Sequence, residues 1–178
     1  MNGLLGAAAA ILFAIHSISM GMVLTGYIQY SYSLKYWAYA LLVCLILHAV
    51  ISIALVVFET GKNRIDRYAK VNASIHLQRI SGIILIVLVY FHMNAYGYLS
   101  DEGVYILNEP TMTGFLSQVA LALIAGFHMV TGFPKSMISL GCIRDAKEMK
   151  AQKNFVYMVF FIVEAVAIYG ACIYFGVI

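Results

Sequence analysis

The sequence has little charge and almost no proline. Only 11% of its 178 residues are Asp, Glu, Lys or Arg, and two are proline. A soluble domain carries about 25% charged residues, so the composition excludes an ordinary soluble domain. Three cysteines, Cys44, Cys142 and Cys172, lack the spacing of metal ligands, and we interpret them as small apolar filler or free thiols. The N-terminus also lacks a basic leader and a cleavage site, which favours a retained first helix over a signal peptide.

Apolar residues make up 63% of the chain and fall in five long runs. A helix that crosses a bilayer needs about 20 mainly apolar residues. The runs therefore predict an all-α integral membrane bundle that forms a single domain over residues 1–178. Its five transmembrane helices are expected at about residues 4–27, 37–58, 80–99, 115–138 and 155–177.

Basic residues lie on one side of this predicted bundle. Ten of the eleven Lys and Arg residues fall in two loops, before the third helix and between the fourth and fifth helices. Lys35 lies on the opposite side with Asp101, Glu102 and Glu109. The positive-inside rule assigns the basic side to the cytoplasm. We therefore expect a multi-pass protein of the inner (cytoplasmic) cell membrane, with its N-terminus inside, its C-terminus outside and no nucleic acid as a partner.

Four of the five histidines lie inside predicted helices, one in each of the first four. At about 1.5 Å of rise per residue, His16 and His92 belong to the outer half of the membrane, and His48 and His128 lie nearer the cytoplasm. A buried imidazole is costly unless something binds it. Two depth-matched pairs are typical of two bis-histidine haems stacked across a bundle. The alternative is that these histidines hydrogen-bond across helices or relay protons. His76, at the cytoplasmic boundary, is expected to be interfacial.

Three charged residues are further candidates. Arg79 and Lys135 are either ordinary membrane anchors or partners of haem propionates at the inner site, since Lys135 lies seven residues from His128 and on the same helix face. Glu164 is about 14 Å into the fifth predicted helix. A bare carboxylate there would be expensive, so we expect it to be protonated or hydrogen-bonded. Its role is either an interhelical hydrogen bond or proton handling.

The third predicted helix contains LQRISGIILIVLVYFH, residues 77–92. This segment resembles the cytochrome b subunit of succinate dehydrogenases and fumarate reductases, whose helices carry a (Q)R-[ST]-G signature. The similarity extends to LILHAVISI at 45–53, to GFHMVTGFPKSMISLG at 126–141 and to a first helix with a histidine near its middle. It covers nearly the whole chain, and the order of these elements makes it more specific than RISG alone. Within the family, the chain resembles the single-polypeptide, five-helix, two-haem type.

The resemblance implies two haem b groups, with His16 and His92 holding the distal haem and His48 and His128 the proximal haem. It also implies a membrane subunit that binds no dicarboxylate itself. Such a subunit anchors a cytoplasmic FAD flavoprotein and an iron–sulfur protein, and carries electrons between them and a membrane quinone, by family habit menaquinone.

The chain departs from the family at two proton-transfer positions. The glutamate that some members have two residues before the helix-four histidine is Gly126 here, and the segment Tyr27–Trp37 contains no glutamate. A proton path through those groups is therefore not expected. Two other functions remain as alternatives. One is a cytochrome b anchor of a different quinone-linked reductase, and the other is a haem-free, proton-coupled transporter that uses the intramembrane histidines.

Overall fold

A computed structural model describes residues 2–59, 69–99 and 105–178. The described residues form five helices: α1 (Asn2–Leu24), α2 (Tyr32–Glu59), α3 (Ala69–Ala95), α4 (Met112–Ser139) and α5 (Ala146–Tyr174). Two short antiparallel strands, β1 (Gly97–Leu99) and β2 (Tyr105–Leu107), form a hairpin between α3 and α4. All five helices are long and apolar enough to cross a membrane. The prediction of an all-α, five-helix membrane bundle is thus confirmed.

Two helices begin well before the apolar runs that predict them. α3 begins at Ala69, where the sequence predicts about residue 80, and α5 begins at Ala146, where it predicts about residue 155. The first turns of α5, AKEMKAQK, are rich in residues that favour helix regardless of polarity, whereas the first turns of α3, AKVNASIH, contain fewer of them. Asp145 also caps α5, since its side chain accepts a hydrogen bond from the Glu148 backbone N–H at 2.7 Å. Two residues predicted for the loop before the third helix, Lys70 and Arg79, therefore lie in α3.

The expectation that the third helix continues to residue 99 is wrong. α3 ends at Ala95, and Gly97–Leu99 is a strand. The reason is that Asn108 donates hydrogen bonds to carbonyl groups at the C-terminal end of the helix. Its backbone N–H donates to the Tyr96 carbonyl at 3.0 Å, and its side-chain amide donates to the Asn94 carbonyl at 2.6 Å. The predicted loop residues Lys62, Arg64, Arg67, Asp101 and Glu102 lie outside the described residues.

Three helices, α1, α4 and α5, form the core of the bundle and all contact one another. Ala10, Ala125, Met129, Val156 and Phe160 make up a buried apolar cluster where they meet. The other two helices flank this core, with α2 packed on α1 and α3 packed on α4.

The flanking helices are mostly exposed. Among their described side chains, α2 buries only Leu41 and α3 only Ser81. Large apolar side chains cover the rest of both helices, as expected of surfaces that face lipid.

A close helix crossing joins α1 and α5 through two glycines. A Cβ atom on Gly170 would lie 2.9 Å from Gly21 Cα and 3.0 Å from Gly21 O. Both atoms belong to the backbone, which cannot rotate away as a side chain can. Small residues permit this approach, as they do at many membrane helix interfaces.

We expect Gly170→Ala to destabilise the bundle by about 1–3 kcal/mol, the usual cost of overpacking. The sign of the change is informative, because helix propensity alone would make the alanine variant more stable than the glycine by about 1 kcal/mol. Thermal unfolding in detergent measures the change, with Ala165→Val on the exposed face of α5 as the control. Equal or higher stability of Gly170→Ala would mean that α1 and α5 do not approach this closely.

Candidate functional site

His16 of α1 and His92 of α3 face each other near the end of the bundle that carries the hairpin, the hairpin end. Their ring centroids are 6.0 Å apart, and the ring planes meet at 81°. Both side chains are partly buried. A metal bound to one nitrogen of each ring at about 2 Å would separate the ring centres by about 6 Å. The observed centroid distance of 6.0 Å is close to that value, as expected of two ligands on opposite sides of one metal ion.

Gln118 of α4 fixes the orientation of the His92 ring. Its Oε1 lies 2.6 Å from His92 Nδ1. An amide oxygen only accepts hydrogen bonds, so Nδ1 carries the proton and Nε2 of the neutral ring keeps its lone pair. The amide direction is itself fixed, because Gln118 Nε2 donates to Ser117 Oγ at 3.0 Å. Metal-binding histidines almost always donate their second ring N–H in this way.

His128 of α4 is held in the same manner by Ser81 of α3. The Ser81 hydroxyl donates to the Gln78 carbonyl at 3.0 Å, and its oxygen lies 2.9 Å from His128 Nδ1. A hydroxyl has one hydrogen. With that hydrogen on the Gln78 carbonyl, Ser81 accepts from His128 Nδ1–H, and this tautomer leaves a free lone pair on Nε2.

His48 of α2 is the predicted partner of His128, but among the described residues the two rings make no contact comparable to that of His16 and His92. This inner pair lies toward the other end of the bundle, the basic end, which carries Lys135, Arg144, Lys147, Lys150 and Lys153. His48 Nδ1 is buried and has no hydrogen-bond partner among the described residues. A buried polar atom without a partner costs about 1–3 kcal/mol, so this ring is incompletely satisfied by the protein alone.

Two glycines leave room beside the inner histidines. A Cβ on Gly82 would lie 3.3 Å from His128 Cε1, and a Cβ on Gly6 would lie 3.2 Å from His48 Cε1. Ser81 and Gly82 of the RISG segment thus both serve His128, one by a hydrogen bond and the other by leaving space.

Lys135 is connected to His128 through Gln78. Its Nζ donates to Gln78 Oε1 at 2.9 Å, and Gln78 Nε2 donates to the His128 carbonyl at 3.4 Å. Arg79 follows Gln78 on α3 and is half-buried, whereas His76 is exposed. Both cations thus lie at the inner pair's end of the bundle, and His76 has the solvent access expected of an interfacial residue.

Glu164 lies apart from the histidines, against the backbone of α4. A Cβ on Gly126 would be 3.2 Å from Glu164 Oε1. Both carboxyl oxygens are buried without a hydrogen-bond partner among the described residues. The interhelical hydrogen bond, one of its two expected roles, is therefore not formed there. An ionised carboxylate without a partner would be strongly destabilising in these apolar surroundings, so the side chain is neutral.

An aromatic cluster packs against His92 of the outer histidine pair. The Tyr96 ring lies 5.6 Å from the His92 ring and 4.9 Å from the Tyr174 ring. The Tyr174 hydroxyl oxygen lies 3.1 and 3.2 Å from the carbonyl oxygens of Tyr96 and Asn108, which share its one hydrogen, and so ties the end of α5 to the hairpin. Burial, with a smaller contribution from Tyr174, raises the pKa of the Tyr96 hydroxyl. Tyr96 is therefore neutral at physiological pH.

Sequence reasoning missed the roles of Gln118, Ser81 and Tyr96. Gln118 had a usable signal, since it is a lone amide in the apolar fourth helix near the level of His92. Ser81 stood in the quoted RISG segment but was assigned no role. Tyr96 has no feature in the sequence that assigns it a role beside His92.

Candidate metal ligands occur in pairs. Within residues 2–59, 69–99 and 105–178, no three His, Cys, Asp or Glu side chains gather around one point. Comparisons of the chain with protein-family models, curated proteins and solved structures found no match. The histidine pairs and their hydrogen-bond partners are the features from which we infer a function.

In the apo protein, His92 and His128 should both be protonated on Nδ1 and not on Nε2. ¹⁵N NMR of histidine-labelled protein in micelles measures this directly. Gln118→Leu should remove the tautomer preference of His92 only, and Ser81→Ala that of His128 only. Each substitution should lower the free energy of unfolding by about 1 kcal/mol, because one hydrogen bond is lost.

Ser139→Ala, on the exposed end of α4, serves as the control because its hydroxyl bonds only locally, to the Ser136 carbonyl. Protonation of Nε2 in the unmodified chain would contradict the assignment.

Proposed function

We propose that the chain is a dihaem cytochrome b, the membrane-anchor subunit of a succinate:quinone oxidoreductase that works as a succinate dehydrogenase or a fumarate reductase. The observation that carries the proposal is the 6.0 Å separation of the His16 and His92 rings. The hydrogen bond from His92 to Gln118 supports it, because the nitrogen left over is the one that binds iron.

His16 and His92 would hold the outer, distal haem, and His48 and His128 the inner, proximal one. Bis-histidine haem iron alternates between two oxidation states and so carries one electron at a time. The chain's own residues orient the ligands and exclude water. Gln118 and Ser81 set the rings of His92 and His128, and the surrounding helices provide the apolar walls.

Arg79 and Lys135 are the proposed partners of the inner haem's propionates. Both are cations at the inner pair's end of the bundle, and Lys135 is joined to the His128 backbone through Gln78. Charge-assisted hydrogen bonds to a carboxylate are among the strongest that a protein makes. The Glu164 carboxyl group has no hydrogen-bond partner among the described residues that could pass it a proton. A role for Glu164 in proton handling therefore stays a prediction.

The basic end of the bundle is the proposed docking surface for the flavoprotein and iron–sulfur subunits. Arg144, Lys147, Lys150 and Lys153 are all exposed there, and positive patches favour association with acidic partner surfaces. By the positive-inside rule this end would face the cytoplasm from the inner membrane. The partners would carry out the dicarboxylate chemistry, and this chain would pass electrons between their clusters and a quinone, menaquinone in our proposal.

The ligand pairs predict a specific pattern of haem loss. His16→Ala and His92→Ala should each remove the same haem, and His48→Ala and His128→Ala should each remove the other. In every case the haem content should fall from about two per chain toward one, because each substitution removes one of the two axial bonds that hold that haem. Redox difference spectra of the purified variants identify which haem is lost.

His76→Ala is the matched control, since His76 is exposed and should leave both haems in place. Loss of one common haem in His16→Ala and His48→Ala would refute the pairing. Retention of both haems in all four variants would refute the proposed function.

A further inference from the structure

Two adjoining cavities form a groove between α4 and α5, away from the four histidines. One part is a cavity of about 520 Å³ whose lining includes Leu123, Phe161 and Glu164. The other is a cavity of about 210 Å³ at the basic end. Val130 and Tyr157 line both cavities. The two cavities therefore adjoin along α4 and α5 and are together called the groove, and none of the four histidines lines either one.

The basic end of this groove carries two cations from different helices. Lys135 of α4 and Lys153 of α5 both line the smaller cavity, and no acidic side chain of the described residues lines it. Both lysines are exposed, so an external ligand has access to them. Basic pockets between membrane helices are typical sites for anionic lipid head groups.

The length of the groove matches one membrane leaflet. Lys153 and Glu164 are eleven residues apart on α5, which corresponds to about 16 Å along the helix. Half of a bilayer's hydrocarbon core is about 15 Å. Tyr157 and Phe161 lie between these ends at successive helix turns, and Phe161 is 76% exposed. An acyl chain that begins at the lysines would thus end near Glu164.

The inner end of the groove favours a hydrocarbon tail over a polar head group. Glu164 is the one acidic residue that lines the larger cavity, but both of its oxygens are buried and out of reach from the groove. A quinone ring placed there would lack a hydrogen-bond partner from Glu164. The polar group of the ligand is therefore expected at the lysines.

We propose that the groove between α4 and α5 binds one anionic phospholipid. Its phosphate lies between Lys135 and Lys153, and one acyl chain follows Tyr157 and Phe161 toward Glu164. The site uses none of the four histidines, but it shares Lys135 with the proposed propionate partners of the inner haem, so Lys153 is the lysine whose substitution tests the lipid site alone.

Native mass spectrometry of the detergent-purified chain, after delipidation and titration with defined lipids, tests the proposal. The chain should retain one phosphatidylglycerol, and bind it at least about fivefold more tightly than phosphatidylcholine. Lys153→Ala should weaken phosphatidylglycerol binding about fivefold, equivalent to the ~1 kcal/mol that one basic residue contributes near an anionic lipid surface. Free inorganic phosphate should not compete at millimolar concentration, because it lacks the acyl chain.

Two further variants separate the site from general surface charge. Lys150 lies on the same helix as Lys153 but lines neither cavity. Lys150→Ala should therefore leave the binding of phosphatidylglycerol unchanged. Leu123→Trp fills the groove at a 60% exposed position, and should weaken retention of both lipids with the lysines intact.

Three outcomes would overturn the proposal. The first is equal binding of the two lipids by the unmodified chain, and the second is an equal effect of Lys150→Ala and Lys153→Ala. The third is recovery of a quinone, and not a phospholipid, as the molecule lost from Lys153→Ala. Haem content, measured in parallel, should be the same in all variants, so failure of this proposal is distinguishable from failure of the haem proposal.

Discussion

Imidazole rings inside an apolar bundle need a partner for each ring nitrogen, and the local structure around them follows from this need. His92 and His128 satisfy it on one side only. Gln118 accepts from one ring and Ser81 from the other, which leaves an Nε2 lone pair on each. His48 has a buried ring nitrogen with no partner among the described residues. The rings of His92 and His128 are thus oriented by the protein and left with a nitrogen that can bind a ligand. A proton relay without a cofactor would more naturally pair both ring nitrogens with donors or acceptors.

The histidine pairs also link parts of the bundle that pack only weakly together. α2 packs on α1 and α3 packs on α4. Yet His92 of α3 faces His16 of α1, and the predicted pair of His48 and His128 would join α2 to α4. Each pair therefore joins a flanking helix to a core helix other than the one it packs against. Two ligand bridges of this kind would stabilise α2 and α3, which bury few side chains of their own.

The five helices could be predicted from sequence because each contains about 20 apolar residues, a signal that needs no knowledge of packing. The starts of α3 and α5 could not, since hydropathy does not detect a polar helix that continues beyond the hydrocarbon. The depth of His16 and His92 follows from the fixed rise per residue, whereas the bond from His92 to Gln118 depends on how α3 is rotated against α4. The hairpin escaped prediction because Asn108 ends α3 through contacts made 12 and 14 residues away along the chain.

The haem content of the purified chain tests the central claim most directly. A pyridine haemochrome assay on protein from a haem-replete host, set against total protein from amino-acid analysis, gives the number of haem b groups per chain. We predict about two. A chain purified without haem, and unable to take it up on reconstitution, would contradict the assignment of the four histidines as axial ligands.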